Sequence, residues 1–185
     1  MLEQFVKYYN WNNLIDADAR KNMCTAVRGG IEAGRYWKNS PKYQTDWNVF
    51  GSTEPFKQDF TNLKMSFIWS CFDFLQKEVQ IKNIQSWSFM TKLPGEDRDQ
   101  LWHHHNHNPD TQTISGVYYM HLPSDVKDFE QAGTELAPNG VDGEGKFFSE
   151  WKTGHWMIYP GSIWHRPGVL QSNEDRFIVA ADMEF

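Results

Sequence analysis

The sequence predicts a mainly β fold, a sandwich or barrel of short strands backed by helices. Three observations predict it. Hydrophobic periodicity changes near residue 84, from three- and four-residue steps to alternation. After that change the apolar segments are short and separated by turns rich in Pro, Gly and Asn. The helical patterns precede the strands, which suggests a helical buttress on the β core.

The elements follow in order. Asp16 and Asp18 are N-cap candidates for a helix over Ala17–Ala33, and Gly34 ends it. Gly29 and Gly30 weaken its last turns. Residues 36–55 have no period and read as loop. Thr53 and Pro55 open a second helix carrying Phe56, Phe60, Leu63, Phe67, Cys71, Leu75 and Val79 on one stripe. Phe and Trp are indifferent helix formers, so this helix needs a packing partner and is expected to lie across a sheet. Strands are expected at Ile84–Lys92, broken by Pro94-Gly95, then at Thr113–Leu122, Gly133–Leu136, His155–Tyr159 and Asp175–Phe185. In the last, Arg176, Ile178, Ala180 and Asp182 share one face, and Phe177, Val179, Ala181 and Met183 share the other. One domain is expected over 1–185, with helical support and loops over 1–82 and the β core over 83–185.

Composition excludes several classes. The 185 residues are 39% hydrophobic and 23% charged, enough to build a core and too apolar for a disordered chain. No run approaches the roughly 20 apolar residues of a membrane helix. The start, MLEQFVKYYNWN, has no apolar stretch, so no secretory leader is expected. Cys24 and Cys71 are too few for a disulfide framework and fit a reducing, cytoplasmic setting. A net charge of -6 without a Lys/Arg cluster gives no reason to expect nucleic-acid binding.

Four of the seven histidines fall between His103 and His107. Neutral imidazole is the commonest side-chain metal ligand. In extended chain, residues i and i+2 point the same way, so His105 with His107, or His103 with His105, can grip one ion. A third ligand must come from elsewhere, with His121, His155 and His165 as candidates. His165 follows the segment Tyr159-Pro160-Gly161-Ser162-Ile163-Trp164, where a buried strand runs into a Pro-Gly turn. Arg176 comes eleven residues later, placed to reach a ligand carboxylate across a barrel mouth.

Three blocks resemble the 2-oxoglutarate- and iron(II)-dependent oxygenases in their prolyl-hydroxylase-like branch. They are His105-Asn106-His107-Asn108-Pro109 leading into Ser115-Gly116-Val117-Tyr118-Tyr119, then Gly133-Thr134-Glu135-Leu136, then Tyr159-Pro160-Gly161-Ser162-Ile163-Trp164-His165 followed by Arg176-Phe177-Ile178-Val179-Ala180. Order and spacing match over roughly residues 84–185. The resemblance implies a double-stranded β-helix, a jelly-roll or cupin-like barrel. It implies iron(II) held by His105, His107 and His165, with His107 standing where the family's usual carboxylate falls and Asp110 as the alternative. Three neutral imidazoles leave such a site at +2, where two with a carboxylate leave +1. The resemblance also implies 2-oxoglutarate as cosubstrate, its far carboxylate held by Arg176 and Tyr119, with Val117 and Ile178 lining the pocket. The implied reaction converts 2-oxoglutarate and O2 to succinate and CO2 while hydroxylating an acceptor, a prolyl or other peptidyl group or a small molecule. Two other readings use the same barrel: a three-histidine metal dioxygenase that dispenses with 2-oxoglutarate, and a non-catalytic binding module.

Overall fold

The computed structural model describes residues 5–38, 43–91, 101–106 and 110–185. Helix α1 spans Ala17–Glu32, and the Asp16 carboxylate caps it by accepting from the Ala19 amide at 2.8 Å. Gly34 follows at φ 82°, a conformation that suits glycine at a helix end. Helix α2 spans Lys57–Leu75 and closes on Gln76 in the left-handed region. Val79, expected on this helix, therefore lies one turn beyond it. No helix among the described residues is long and apolar enough to cross a membrane.

Among the described residues the strands are β1 (Lys7–Asn10), β2 (Tyr43–Gln44), β3 (Asn83–Thr91), β4 (Thr113–His121), β5 (Thr134–Ala137), β6 (Phe147–Phe148), β7 (His155–Pro160), β8 (Trp164–Pro167) and β9 (Arg176–Glu184). They form a six-stranded sheet, β1-β7-β4-β9-β3-β2, and a three-stranded sheet, β6-β5-β8. The major strands fall where alternation predicts them. Lys92 and Pro94-Gly95 lie outside the described residues. The stretch 36–55, expected as loop, contains β2 and, at Val49–Gly51, a 3-10 turn.

Strand β9 is central. It pairs with β3 from Asn83↔Glu184 to Thr91↔Arg176, and with β4 on its other side, where Ser115 stands opposite Asp182. Its two faces separate two cores. Phe177, Val179, Ala181 and Met183 pack outward with Phe67, Leu63 and Trp156 under the helices. Ile178 faces inward with Val117, Tyr119, Leu136, Met157 and Tyr159, between the sheets. This is sheet-on-sheet packing with a helical layer on one outer face.

Two local features let α2 lie close to the sheet. The Phe67 ring packs on Trp156 at 4.9 Å between centroids. At Gly116 a Cβ would come within 2.9 Å of Phe67, so only glycine admits the helix here. Arg28 of α1 pins the start of β9, bonding Asp175 at 2.7 Å and lying 5.1 Å over the Phe177 ring.

Candidate metal and cosubstrate site

The segment 101–106 runs extended beside β8, carrying the minor sheet one position further. His103 and His165 form a backbone bridge, each amide donating to the other's carbonyl at 3.1 and 2.9 Å. The His105 amide donates to Gly161 O at 2.7 Å, on the Pro-Gly turn between β7 and β8. Main-chain bonds thus set the position of all three residues.

Their side chains converge. Ring centroids are 4.3 Å apart for His103 and His165, 4.8 Å for His105 and His165, and 5.3 Å for His103 and His105. One nitrogen from each lies within 4.8 Å of the other two. The remaining nitrogens are committed. His103 Nδ1 meets Leu101 O at 3.0 Å, His165 Nδ1 meets Ile163 O at 3.0 Å, and His105 Nδ1 meets Asp182 Oδ1 at 2.7 Å. Carbonyl and carboxylate oxygens accept only, so each Nδ1 is the donor in its bond, and Nε2 is the ring atom each histidine would offer a metal. Three fixed lone pairs on one small volume are the donor set a divalent transition metal takes. Burial, and then the charges His103 and His105 would carry if protonated, hold His165 well below the ordinary histidine value of 6.5. It is therefore neutral, as a ligand must be.

Of the residues expected as ligands, the structure brings His105 and His165 together. His107 lies outside the described residues. His103, which the resemblance does not use, stands in the cluster. The signal for it was present as the His103/His105 pair, but alternation alone does not choose between that register and His105/His107. Asp110 is exposed and stands outside the cluster, its carbonyl accepting from Lys82 at 3.4 Å. His121 and His155 also stand apart, at the far end of β4 and the start of β7. Asp182 was legible as sharing a face with Arg176. Its contact with His105 was not, because nothing in the sequence places the 101–106 segment against β9.

Behind the histidines lies a small cavity of about 50 Å³, lined by Val117, Ile178, Ala180, Thr134 and Tyr159 as well as the three rings. Tyr119 and Arg176 are buried beyond it, each 1% exposed. The Tyr119 hydroxyl bonds those of Thr134 and Ser149, both at 3.2 Å. Burial raises its pKa, against the opposing pull of Ser149, Thr134 and the Arg176 charge. The phenol is thus a neutral donor beside a fixed cation. The Arg176 guanidinium donates to Ala132 O at 2.9 Å, to Gly168 O at 3.4 Å and to Thr91 Oγ1 at 3.4 Å. Thr134 and Ser149, which the sequence did not single out, link the cavity to this polar end.

No family model and no curated protein matches the chain. Solved structures do. A prolyl hydroxylase from Trichoplax adhaerens, in complex with a hypoxia-inducible-factor peptide, matches with a TM-score of 0.68 at 12% identity, over 98% of this chain and 84% of that one. A viral collagen prolyl hydroxylase from Paramecium bursaria Chlorella virus 1, solved as a 2-oxoglutarate complex, matches with a TM-score of 0.63 at 11% identity, over 97% and 96%. The chain has the fold of the 2-oxoglutarate-dependent oxygenases. Within that oxygenase fold the chemistry varies. The non-haem α-ketoglutarate-dependent epimerase SnoN of nogalamycin biosynthesis matches equally well, with a TM-score of 0.69 at 11% identity over 98% and 78%. What the present chain does must therefore be argued from its own site.

Proposed function

We propose that this chain is a 2-oxoglutarate-dependent dioxygenase that holds iron(II) on His103, His105 and His165. The observation that carries the reading is the convergence of three imidazoles, one nitrogen of each lying within 4.8 Å of the other two, on rings oriented by hydrogen bonds at Nδ1. The bound iron would supply the oxygen chemistry that turns 2-oxoglutarate and O2 into succinate and CO2 and oxidises the acceptor.

The chain's own residues do the rest. Arg176 offers a bidentate guanidinium to the far carboxylate of 2-oxoglutarate, exchanging neutral carbonyl partners for a charged one. Tyr119 stays protonated and donates to the same carboxylate. Val117, Ile178 and Ala180 form an apolar wall that keeps water from the reacting end. Hydroxylation of a peptidyl or small-molecule acceptor is the expected outcome. The free thiols of Cys24 and Cys71 support a reducing, cytoplasmic setting for this work.

The test is succinate release from 2-oxoglutarate by the iron-loaded protein, with and without Arg176→Ala. A charged hydrogen bond contributes about 1.5–3 kcal/mol, so the variant should need roughly 10- to 100-fold more 2-oxoglutarate. Iron binding without any 2-oxoglutarate binding or turnover in the wild type would refute this reading in favour of a three-histidine dioxygenase that acts on its substrate directly.

A further inference from the structure

The three candidate ligands are not backed alike. His103 and His165 present Nδ1 to backbone carbonyls, which are neutral dipoles. His105 presents Nδ1 to a carboxylate at 2.7 Å. We propose that Asp182 is a positioning residue that delivers to the metal, through the His105 ring, the negative charge that a directly bound carboxylate would otherwise bring. This rests on the reading of His103, His105 and His165 as ligands.

Several observations support it. Three neutral imidazoles leave a divalent ion with its full +2 charge, so the nearest anion governs how that charge is balanced. Asp182 and His105 are only 16% and 12% exposed at their side chains, so water screens their interaction weakly. Asp182 is also held from a second side. Ser115 Oγ donates to the same Oδ1 at 2.7 Å, leaving that oxygen facing both groups. The β4–β9 register puts Ser115 directly opposite Asp182, and β9 is hydrogen-bonded along both edges. The carboxylate therefore sits on a strand paired along both edges in the major sheet, while the ring it serves sits on a segment stitched to the minor sheet. A carboxylate accepting from Nδ1–H makes Nε2 a stronger donor and fixes ring orientation. The sequence departs from a His-x-carboxylate pattern by having only imidazoles at these positions. The carboxylate is present, but one ring further from the ion and on another strand.

Asp182→Asn separates charge from shape, because the amide oxygen can still accept from both His105 and Ser115. Titration of metal-free protein with Co(II), read by calorimetry and by the visible ligand-field bands, tests the assignment. The wild type should bind one ion. Asp182→Asn should bind about 10- to 100-fold more weakly, with shifted bands at saturation and a metal-free Tm within a few degrees of wild type. Asp182→Glu should recover much of the loss. Ser115→Ala, which keeps the carboxylate but removes one of its donors, should lose clearly less affinity than Asp182→Asn. Equal Co(II) affinity in wild type and Asp182→Asn overturns the proposal while leaving the ligand set standing. So does a parallel loss in Ser115→Ala with no recovery in Asp182→Glu, which would make Asp182 a structural clamp. A wild type that binds no Co(II) overturns the ligand set itself, and this inference with it.

Discussion

The two faces of β9 are one residue apart along the chain and different in kind. Outward-facing Phe177, Val179, Ala181 and Met183 join a large apolar cluster beneath α1 and α2. Inward-facing Arg176 and Asp182 bracket Ile178 and Ala180, and both charged groups have specific partners. The outer face is held by area and shape, which many side chains share. The inner face is held by a few directional bonds, each made by one atom. Changes on the first should cost stability and leave the site's chemistry alone. Changes on the second should alter binding and pH behaviour.

The strongest way to break this contrast is Trp156→Ala. Trp156 is fully buried against Phe67 and donates to Ser66 Oγ at 2.8 Å. Its loss should cost about 3–5 kcal/mol in chemical denaturation, while the folded fraction binds Co(II) as before. A weakened metal affinity in that fraction would show that the faces are coupled. On the inner face, Arg176→Met keeps volume but strips hydrogen bonds from Ala132 O and Gly168 O. A loss of about 1–3 kcal/mol should follow from those orphaned carbonyls, measured by urea unfolding without cosubstrate.

The third comparison uses pH. His165 has a folded-state pKa below its ordinary value because burial disfavours its charged form. Above about pH 6.5 the folded and unfolded states carry the same charge at this residue. Below that, the unfolded chain takes up a proton that the folded chain refuses, so metal-free stability falls as pH falls, by about 1.4 kcal/mol per unit. His165→Asn should flatten this acid limb, and an unchanged slope would deny the buried neutral ring. Smallest, Asp16→Ala removes the α1 cap and should cost about 1 kcal/mol, with the same acid limb and metal affinity as wild type.

Elements with their own periodicity were legible in the sequence. The Asp16 cap, the stripe of α2 and the alternation of β9 each reflect a local pattern facing an apolar partner. The strands that escaped it are short or at sheet edges. β1 has four residues, β2 and β6 two each, and β8 four, so none is long enough for a period to register. They are defined by the strand across from them. The same reason explains the site. His105, His165 and Arg176 stood out by residue type and spacing, and Tyr119 through the family resemblance alone. The inclusion of His103 depends on a backbone bridge to a residue 62 positions later, and the role of Asp182 depends on a register between distant strands. Both are tertiary facts: the local pattern offered His103 only as one of two registers, and it offered no partner for Asp182.

The reciprocal amide bonds between His103 and His165 carry a consequence for the history of the site. They form a clasp of main-chain atoms, indifferent to which side chains it bears. Replacing an imidazole at either position, or at His105 on its own tether to Gly161, would swap a donor atom without moving the peptide that presents it. Such a frame can be recoded one residue at a time. It can trade an imidazole for a carboxylate while the two sheets around it stay as they are.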